Sequence, residues 1–252
     1  MSNPATPWLV VTHPNPQASC RLFCFPFAGG GATLFRSWSP AVPATLELCA
    51  VQLPGREERL HTPPLSTWPD LLAQLTLALT PWLDKPFVLF GHSMGARLAL
   101  ALAHHWHSHY APRHLILSAC PAPGISRLPP LHSLPDSDLI AAVDTRYGNI
   151  PRALLAQPEL LALFLPSLRA DFMLYESYAD HAATTGPACP LSCPLAVLGG
   201  LQDPLVSRQE LLAWRTQTTG RFTIRMFPGN HFFLKSAQSP LLQTIGQLIE
   251  ER

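Results

Sequence analysis

Gly91-His92-Ser93-Met94-Gly95 sets a serine between two glycines in the pattern G-x-S-x-G. The apolar run Phe87–Phe90 enters it and the helical pattern Gly95–His107 leaves it, so a sharp strand-to-helix turn is predicted. Small residues at 91 and 95 let strand and helix approach closely. The turn would lift the Ser93 hydroxyl clear of the sheet and aim the N-terminus of the new helix at it. A glycine-rich turn without chemistry is the plainer alternative. A serine hydroxyl is a poor nucleophile at neutral pH and needs a base, which in turn needs an orienting acid.

In such a site the chain order is serine, acid, histidine, with both partners on loops after later strands. Eleven histidines compete for the base. His104, His105, His107 and His109 lie on or after the helix behind Ser93 and point away, where a polar helix face is favoured over a metal site. His92 is inside the turn, and His13, His61, His114, His132 and His181 lack a post-strand position. His231, in Pro228-Gly229-Asn230-His231-Phe232-Phe233-Leu234, follows the last expected strand and is the expected base. The acid is Asp203, in Gly199-Gly200-Leu201-Gln202-Asp203-Pro204; the end of the preceding strand, Ser118-Ala119-Cys120-Pro121, holds no carboxylate. Asp171 and Asp180 are the rivals a variant would have to exclude.

Serine chemistry on a carbonyl also needs two backbone N–H groups aimed at the developing negative charge. One is expected from Met94, and the other from the loop Pro26-Phe27-Ala28-Gly29-Gly30-Gly31, with Ala28 the first choice and Phe27 the second. A phosphate-binding loop is the rival for these glycines, but no GK[ST] or GxGxxG sequence follows.

The elements that must position these groups are legible as an alternation. Arg21–Phe25, Glu47–Leu53, Phe87–Phe90, His114–Ala119, Leu195–Leu198 and Phe222–Phe227 read as strands, several of them continuously apolar, as parallel strands covered on both faces are. Trp68–Trp82, Gly95–His107, Ser207–Thr216 and Leu241–Glu250 read as helices. The fold class is therefore α/β, a mainly parallel sheet with right-handed crossovers flanked by helices. One stretch, about 124–187, has no convincing strand but helical patterns at Asp136–Val143, Ala153–Phe164 and Ser167–Tyr178. It is expected to be an insertion forming a lid within a single domain spanning 1–252, ordinary packing helices being the alternative. Its apolar positions Phe164, Leu165, Leu168, Phe172, Met173, Tyr175 and Tyr178 fall at helical spacing, and Phe172 and Met173 are expected to wall the substrate chamber.

The 252 residues are 47% hydrophobic and 13% charged, with a net charge of +1. A chain of this size buries roughly 70% of its surface, enough for one core without disulfides or metals, and extended disorder is excluded. Scattered charge offers no nucleic-acid footprint, and no apolar run reaches a membrane span. Trp8-Leu9-Val10-Val11 is too short for a secretory signal, so a cytoplasmic protein is expected. The six cysteines have no CxxC spacing and are read as reduced thiols.

Together, Phe25-Pro26-Phe27-Ala28-Gly29-Gly30, Leu53-Pro54-Gly55-Arg56-Glu57-Glu58-Arg59, Gly91–Ala96, Asp203-Pro204 and Gly229-Asn230-His231-Phe232-Phe233 resemble the type II thioesterases. These are stand-alone α/β-hydrolases that accompany nonribosomal peptide and polyketide synthases. The resemblance runs from about residue 20 to 245; Leu168-Arg169-Ala170-Asp171-Phe172 is similar to the family's lid helix, whereas Tyr147-Gly148-Asn149-Ile150-Pro151 departs from the family's usual Gly-Gly at that place. It implies hydrolysis of acyl groups from the phosphopantetheine arm of a carrier protein, with Ser93, Asp203 and His231 as triad, Ala28 and Met94 as oxyanion donors, and no cofactor or metal. A monomer is expected, with no nucleic-acid or membrane partner. Arg56 and Arg59 would touch substrate or carrier protein, or else form salt bridges that fix a loop. The alternatives are a medium-chain fatty-acyl carrier-protein thioesterase, another serine carboxylesterase or acyltransferase, and a silent hydrolase fold that only binds carrier protein.

Overall fold

The computed structural model describes residues 5–125, 128–148, 150–184 and 189–250. Asn149, within the departing stretch 147–151, and Pro187, at the expected end of the insertion, lie outside the described residues.

Seven strands form one sheet: β1 (Leu9–Val10), β2 (Cys20–Phe25), β3 (Leu46–Val51), β4 (Phe87–His92), β5 (His114–Ser118), β6 (Leu195–Gly200) and β7 (Phe222–Phe227), in the order β1-β3-β2-β4-β5-β6-β7. All neighbours run parallel except β1, which pairs antiparallel with β3 at Leu9↔Val51 and Val10↔Ala50. Strand β1 is absent from the expected elements, because two residues are too few to show a period. Strands β2 to β6 are buried along their whole length. The outer strand β7 is only half covered, with Arg225 exposed at its middle.

The helices are α1 (Trp68–Leu79), α2 (Met94–Trp106), α3 (Asp136–Tyr147), α4 (Arg152–Leu155), α5 (Pro158–Thr184), α6 (Arg208–Leu212), α7 (Phe233–Ser236) and α8 (Gln238–Glu250). Successive strand residues point to opposite faces, so the core divides into two layers. Phe23, Phe25, Leu89, Leu117 and Val197 pack with α1, α2 and Trp214, whereas Leu22, Cys24, Phe90, Ile116 and Leu198 pack with Phe35, Trp38, α7 and α8. A third, smaller cluster lies among α3, α5 and the segment before α3: Leu131, Leu139, Val143, Leu168 and Phe172.

Helix α5 corrects one expectation. The two patterns Ala153–Phe164 and Ser167–Tyr178 become a short α4 and one 27-residue helix that runs through Pro166. Proline removes an N–H and crowds the carbonyl four residues back, which made a break the natural inference. Continuous burial of Ser167, Leu168, Asp171 and Phe172 on the far side carries the helix past it, and Ser167 Oγ donates to the Phe164 carbonyl at 2.9 Å. All six cysteines are free thiols, and only Cys189 is exposed. Among the described residues no helix is long and apolar enough to cross a membrane, and no group of three His, Cys, Asp or Glu residues is arranged to hold a metal ion.

Candidate active site

Ser93 stands between β4 and α2 with φ 55° and ψ −115°, a conformation that side chains rarely adopt. Strain of this kind costs on the order of 1–3 kcal/mol and persists only where the surroundings enforce it. The two flanking glycines enforce it here. A Cβ at Gly91 would lie 2.0 Å from the Gly95 carbonyl oxygen, and one at Gly95 would lie 2.2 Å from the Phe25 carbonyl oxygen on β2. The Ser93 N–H donates to the Ser118 carbonyl at 2.8 Å, tying the turn to the end of β5.

His231, on the loop after β7, places Nε2 3.1 Å from Ser93 Oγ. Its Nδ1 lies 2.9 Å from Oδ2 of Asp203, on the loop after β6, and the Asp203 side chain is sealed from solvent. The other carboxylate oxygen of Asp203 accepts from the Leu205 N–H at 2.9 Å. With the carboxylate on Nδ1–H, Nε2 presents its lone pair to the serine hydroxyl. Asp171 pairs elsewhere, as described below, and Asp180 lies exposed on α5.

Two side chains with no expected role hold this arrangement. His92, within the turn and fully buried, bonds Ser118 Oγ through Nδ1 at 2.8 Å and the His231 carbonyl through Nε2 at 2.9 Å. A carbonyl only accepts, so Nε2 carries the proton and Nδ1 accepts from the Ser118 hydroxyl. Burial holds the His92 pKa well below its ordinary 6.5, with the neighbouring His231 acting in the same direction. His92 is thus a neutral strut under the base. Gln202 joins the two partner loops: its N–H donates to the Gly229 carbonyl at 3.0 Å and its Oε1 accepts from the Gly229 N–H at 2.6 Å. Neither contact leaves a trace in local sequence, since each bridges residues from distant parts of the chain.

Met94 is the first residue of α2, so its N–H has no carbonyl one turn back to bond. In the loop after β2, Gly29 N–H donates to Asp171 Oδ2 at 2.7 Å and Gly30 N–H to the Phe27 carbonyl at 2.8 Å. Ala28 and Phe27 line the cavity above Ser93 together with Met94 and His231. That cavity has a volume of about 580 Å³. Val143, Tyr147, Ile150, Leu154, Phe164, Leu168, Phe172 and Tyr175 wall it on the side of α3 to α5, and Trp38, Phe232, Lys235 and Gln238 on the other. The Lys235 ammonium lies over the rings of Phe27 and Phe232, at 5.5 and 5.6 Å from their centroids.

Three expected substrate contacts are placed elsewhere. Arg56 is buried and forks onto Asp171 of α5, Nη1 to Oδ2 at 2.6 Å and Nη2 to Oδ1 at 2.8 Å, while Nη1 also donates to the Gly30 carbonyl at 3.0 Å. Its fork is taken up by Asp171 and it does not line the cavity. Arg59 donates to the Gln52 carbonyl at 3.0 Å and lies 4.1 Å over the Trp8 ring, also outside the cavity. Met173 is 38% exposed. One residue on α5 turns the side chain by about 100°, so while Phe172 faces the chamber Met173 faces solvent.

The thioesterase domain family model matches residues 20–249. The gramicidin S biosynthesis protein GrsT of Aneurinibacillus migulanus is 37% identical over 239 residues, covering 94% of this chain and 91% of that protein. Thioesterase PikA5 of Streptomyces venezuelae is 34% identical, covering 90% of this chain and 80% of that protein. Among solved structures, the type II thioesterase BorB from the borrelidin biosynthetic cluster superposes with a TM-score of 0.86 at 34% identity, covering 96% of this chain and 98% of that one. A serine turn, a histidine and a buried aspartate on a largely parallel sheet, matched along almost the whole chain, place this protein in the thioesterase family, among the type II thioesterases of the α/β-hydrolase fold.

Proposed function

We propose that the protein hydrolyses acyl groups from the phosphopantetheine arm of a carrier protein in nonribosomal peptide or polyketide synthesis, with Ser93, His231 and Asp203 as its triad. The contact chain Ser93 Oγ–His231 Nε2 and His231 Nδ1–Asp203 Oδ2, at the floor of a mostly apolar chamber, carries this reading. His231 Nε2 takes the Ser93 proton as Oγ attacks the thioester carbonyl carbon. The N–H groups of Ala28 and Met94 hold the oxyanion. The C–S bond then breaks, and the imidazolium returns its proton to the leaving pantetheine sulfur. A water, deprotonated by His231, attacks the acyl-serine and releases the carboxylic acid with Ser93 restored. Asp203 keeps the His231 tautomer throughout and stabilises the imidazolium. None of these steps calls on a metal or cofactor.

The chain works as one domain of 1–252, with the insertion of about 124–187 as its lid. The half of α5 beyond Pro166 is the fixed wall, since Asp171 is bonded to Arg56 and Leu174 and Tyr178 belong to the main core. The mobile cover is α3, α4 and the start of α5: α3 rests on Leu168 and Phe172 of the fixed half, and none of the three adds a buried residue to the two main core layers. Hydrolysis of acyl-carrier protein, acyl-CoA and a p-nitrophenyl ester, each with wild type and Ser93→Ala, tests the reading. Wild type should prefer the carrier-protein substrate, and the variant should lose all three by ~10³-fold or more. A preference for the simple ester would make the protein a carboxylesterase instead.

A further inference from the structure

Four residues after Ser93, on the same helix, α2 carries an arginine that the hydrolysis above does not use. Arg97 is 6% exposed, and its Nε and Nη1 have no hydrogen-bond partner. Its Nη2 reaches only the Ala122 carbonyl, at 3.4 Å. The rings of Tyr178, Trp214 and Tyr175 surround the guanidinium, their centroids 5.2, 5.7 and 5.9 Å away. Ring faces soften the burial of a cation but take none of its in-plane N–H bonds. Among the described residues Arg97 forms no ion pair; Arg56, the other inward arginine of this region, has its full fork satisfied by Asp171. A buried charge without a counter-charge is costly to fold around, and a guanidinium with two orphaned donors is shaped for a carboxylate.

Arg97 lines a second cavity, of about 290 Å³, rimmed by the exposed Leu128 and Asp180. This cavity and the chamber over Ser93 share Tyr147, Phe172 and Tyr175 as lining residues, so the two adjoin at these rings. Two acidic residues also line it: Glu176 is committed to the N–H groups of Leu131 and His132 and to the His132 ring, and Asp180 is exposed to water at the rim, while Arg146 adds a second cation to the lining. We propose that this second cavity is a carboxylate subsite with Arg97 as its anchor. The carboxylate is the distal end of a dicarboxylic acyl chain held on Ser93, or a free small carboxylate entering at the rim; the first deepens the thioesterase reading and rests on it.

The test uses Arg97→Met, which keeps the stem and removes the charge, and Arg97→Lys, which keeps the charge and loses the fork. Hexanoyl- and adipoyl-pantetheine thioesters are compared in kcat/KM, and free adipate is titrated calorimetrically. For the acyl source, Arg97→Met loses about tenfold or more toward adipoyl-pantetheine, the scale of one charge-assisted hydrogen bond. It stays within about twofold of wild type toward hexanoyl, and Arg97→Lys falls between. For the free source, wild type binds adipate, Arg97→Met does not, and the two thioesters change together. Equal losses on both thioesters with no difference in adipate binding would make Arg97 a structural cation and overturn the subsite. If wild type cleaves neither thioester, the thioesterase reading fails, while the adipate titration still decides whether the cavity takes a carboxylate. Should Arg97→Met fail to fold, Arg97→Lys with unchanged adipoyl preference and unchanged adipate binding overturns the proposal alone.

Discussion

Replacing Asp171 by asparagine changes almost no volume, yet it should be among the most damaging single substitutions outside the triad. Asp171 is 1% exposed and accepts three bonds, two from the Arg56 fork and one from the Gly29 N–H. An amide at this position leaves the buried Arg56 charge uncompensated and turns one donor toward other donors. Removing one partner of a buried pair costs about 3–5 kcal/mol. At ~2–4 °C per kcal/mol for a chain of this size, the melting temperature should fall by about 6–20 °C. The same carboxylate anchors the loop that carries Ala28, so turnover should suffer separately from stability. The double variant Arg56→Met/Asp171→Leu separates the two effects. With both charges gone the core is again apolar, and most of the stability should return. The Gly29 N–H still lacks its acceptor, and kcat should stay depressed by up to ~10²-fold, within the range for loss of an oxyanion donor. Thermal unfolding and kcat on an activated ester measure both quantities. A melting temperature within 2 °C of wild type in Asp171→Asn, or full kcat in the double variant, would refute the reasoning.

Four further outcomes are expected. Ser93→Gly should abolish turnover and raise stability by about 1 kcal/mol, since glycine adopts φ 55° without strain; a less stable variant by chemical denaturation would show that the turn is not strained. Asp203→Asn should lower kcat by ~10⁴-fold with little change in KM, far more than Asp180→Asn, measured side by side. Because burial depresses the His92 pKa below 6.5, the unfolded chain takes up a proton that the folded one refuses. Stability is then full above pH 6.5 and falls by ~1.4 kcal/mol per unit as pH drops below it. His104 and His181 shift in the same direction and add to the slope, so His92→Gln should flatten the urea-midpoint profile between pH 6.5 and 5 in part; an unchanged slope would remove His92 as its source. Phe172→Ala should change acyl-chain preference whereas Met173→Ala should not, and identical chain-length profiles for the two would contradict their placement.

Much of this molecule is legible in sequence because its signals are local. Short runs rich in apolar residues mark β2 to β6, and Gly91 and Gly95 announce the serine turn without any knowledge of what they touch. The expectation for Asp203 and His231 rests on their order after strands, and the same logic passes over His92, since a residue inside the turn cannot reach the serine from the required side. His92 acts through the backbone of His231, 139 positions away. Arg56 fares likewise: a conspicuous arginine near an active-site loop suggests a substrate contact, and only the fold reveals Asp171, 115 positions later, in its grasp. Pro166 misleads for the opposite reason, its local preference being outweighed by the packing of the turn that follows.

The open side of the sheet has a consequence for how the molecule meets its own copies. β1 shields β3 at one margin, while at the other β7 has no further strand beside it among the described residues. Such a margin invites a strand from another molecule. Arg225 stands exposed at the middle of β7, so any strand joining there would have to cover a guanidinium with nothing to neutralise it. Two copies meeting edge to edge would bring two such charges together. The margin that no strand closes is guarded by a repulsion, which lets a short, half-covered strand remain open to water at the high concentrations where sheets begin to fuse.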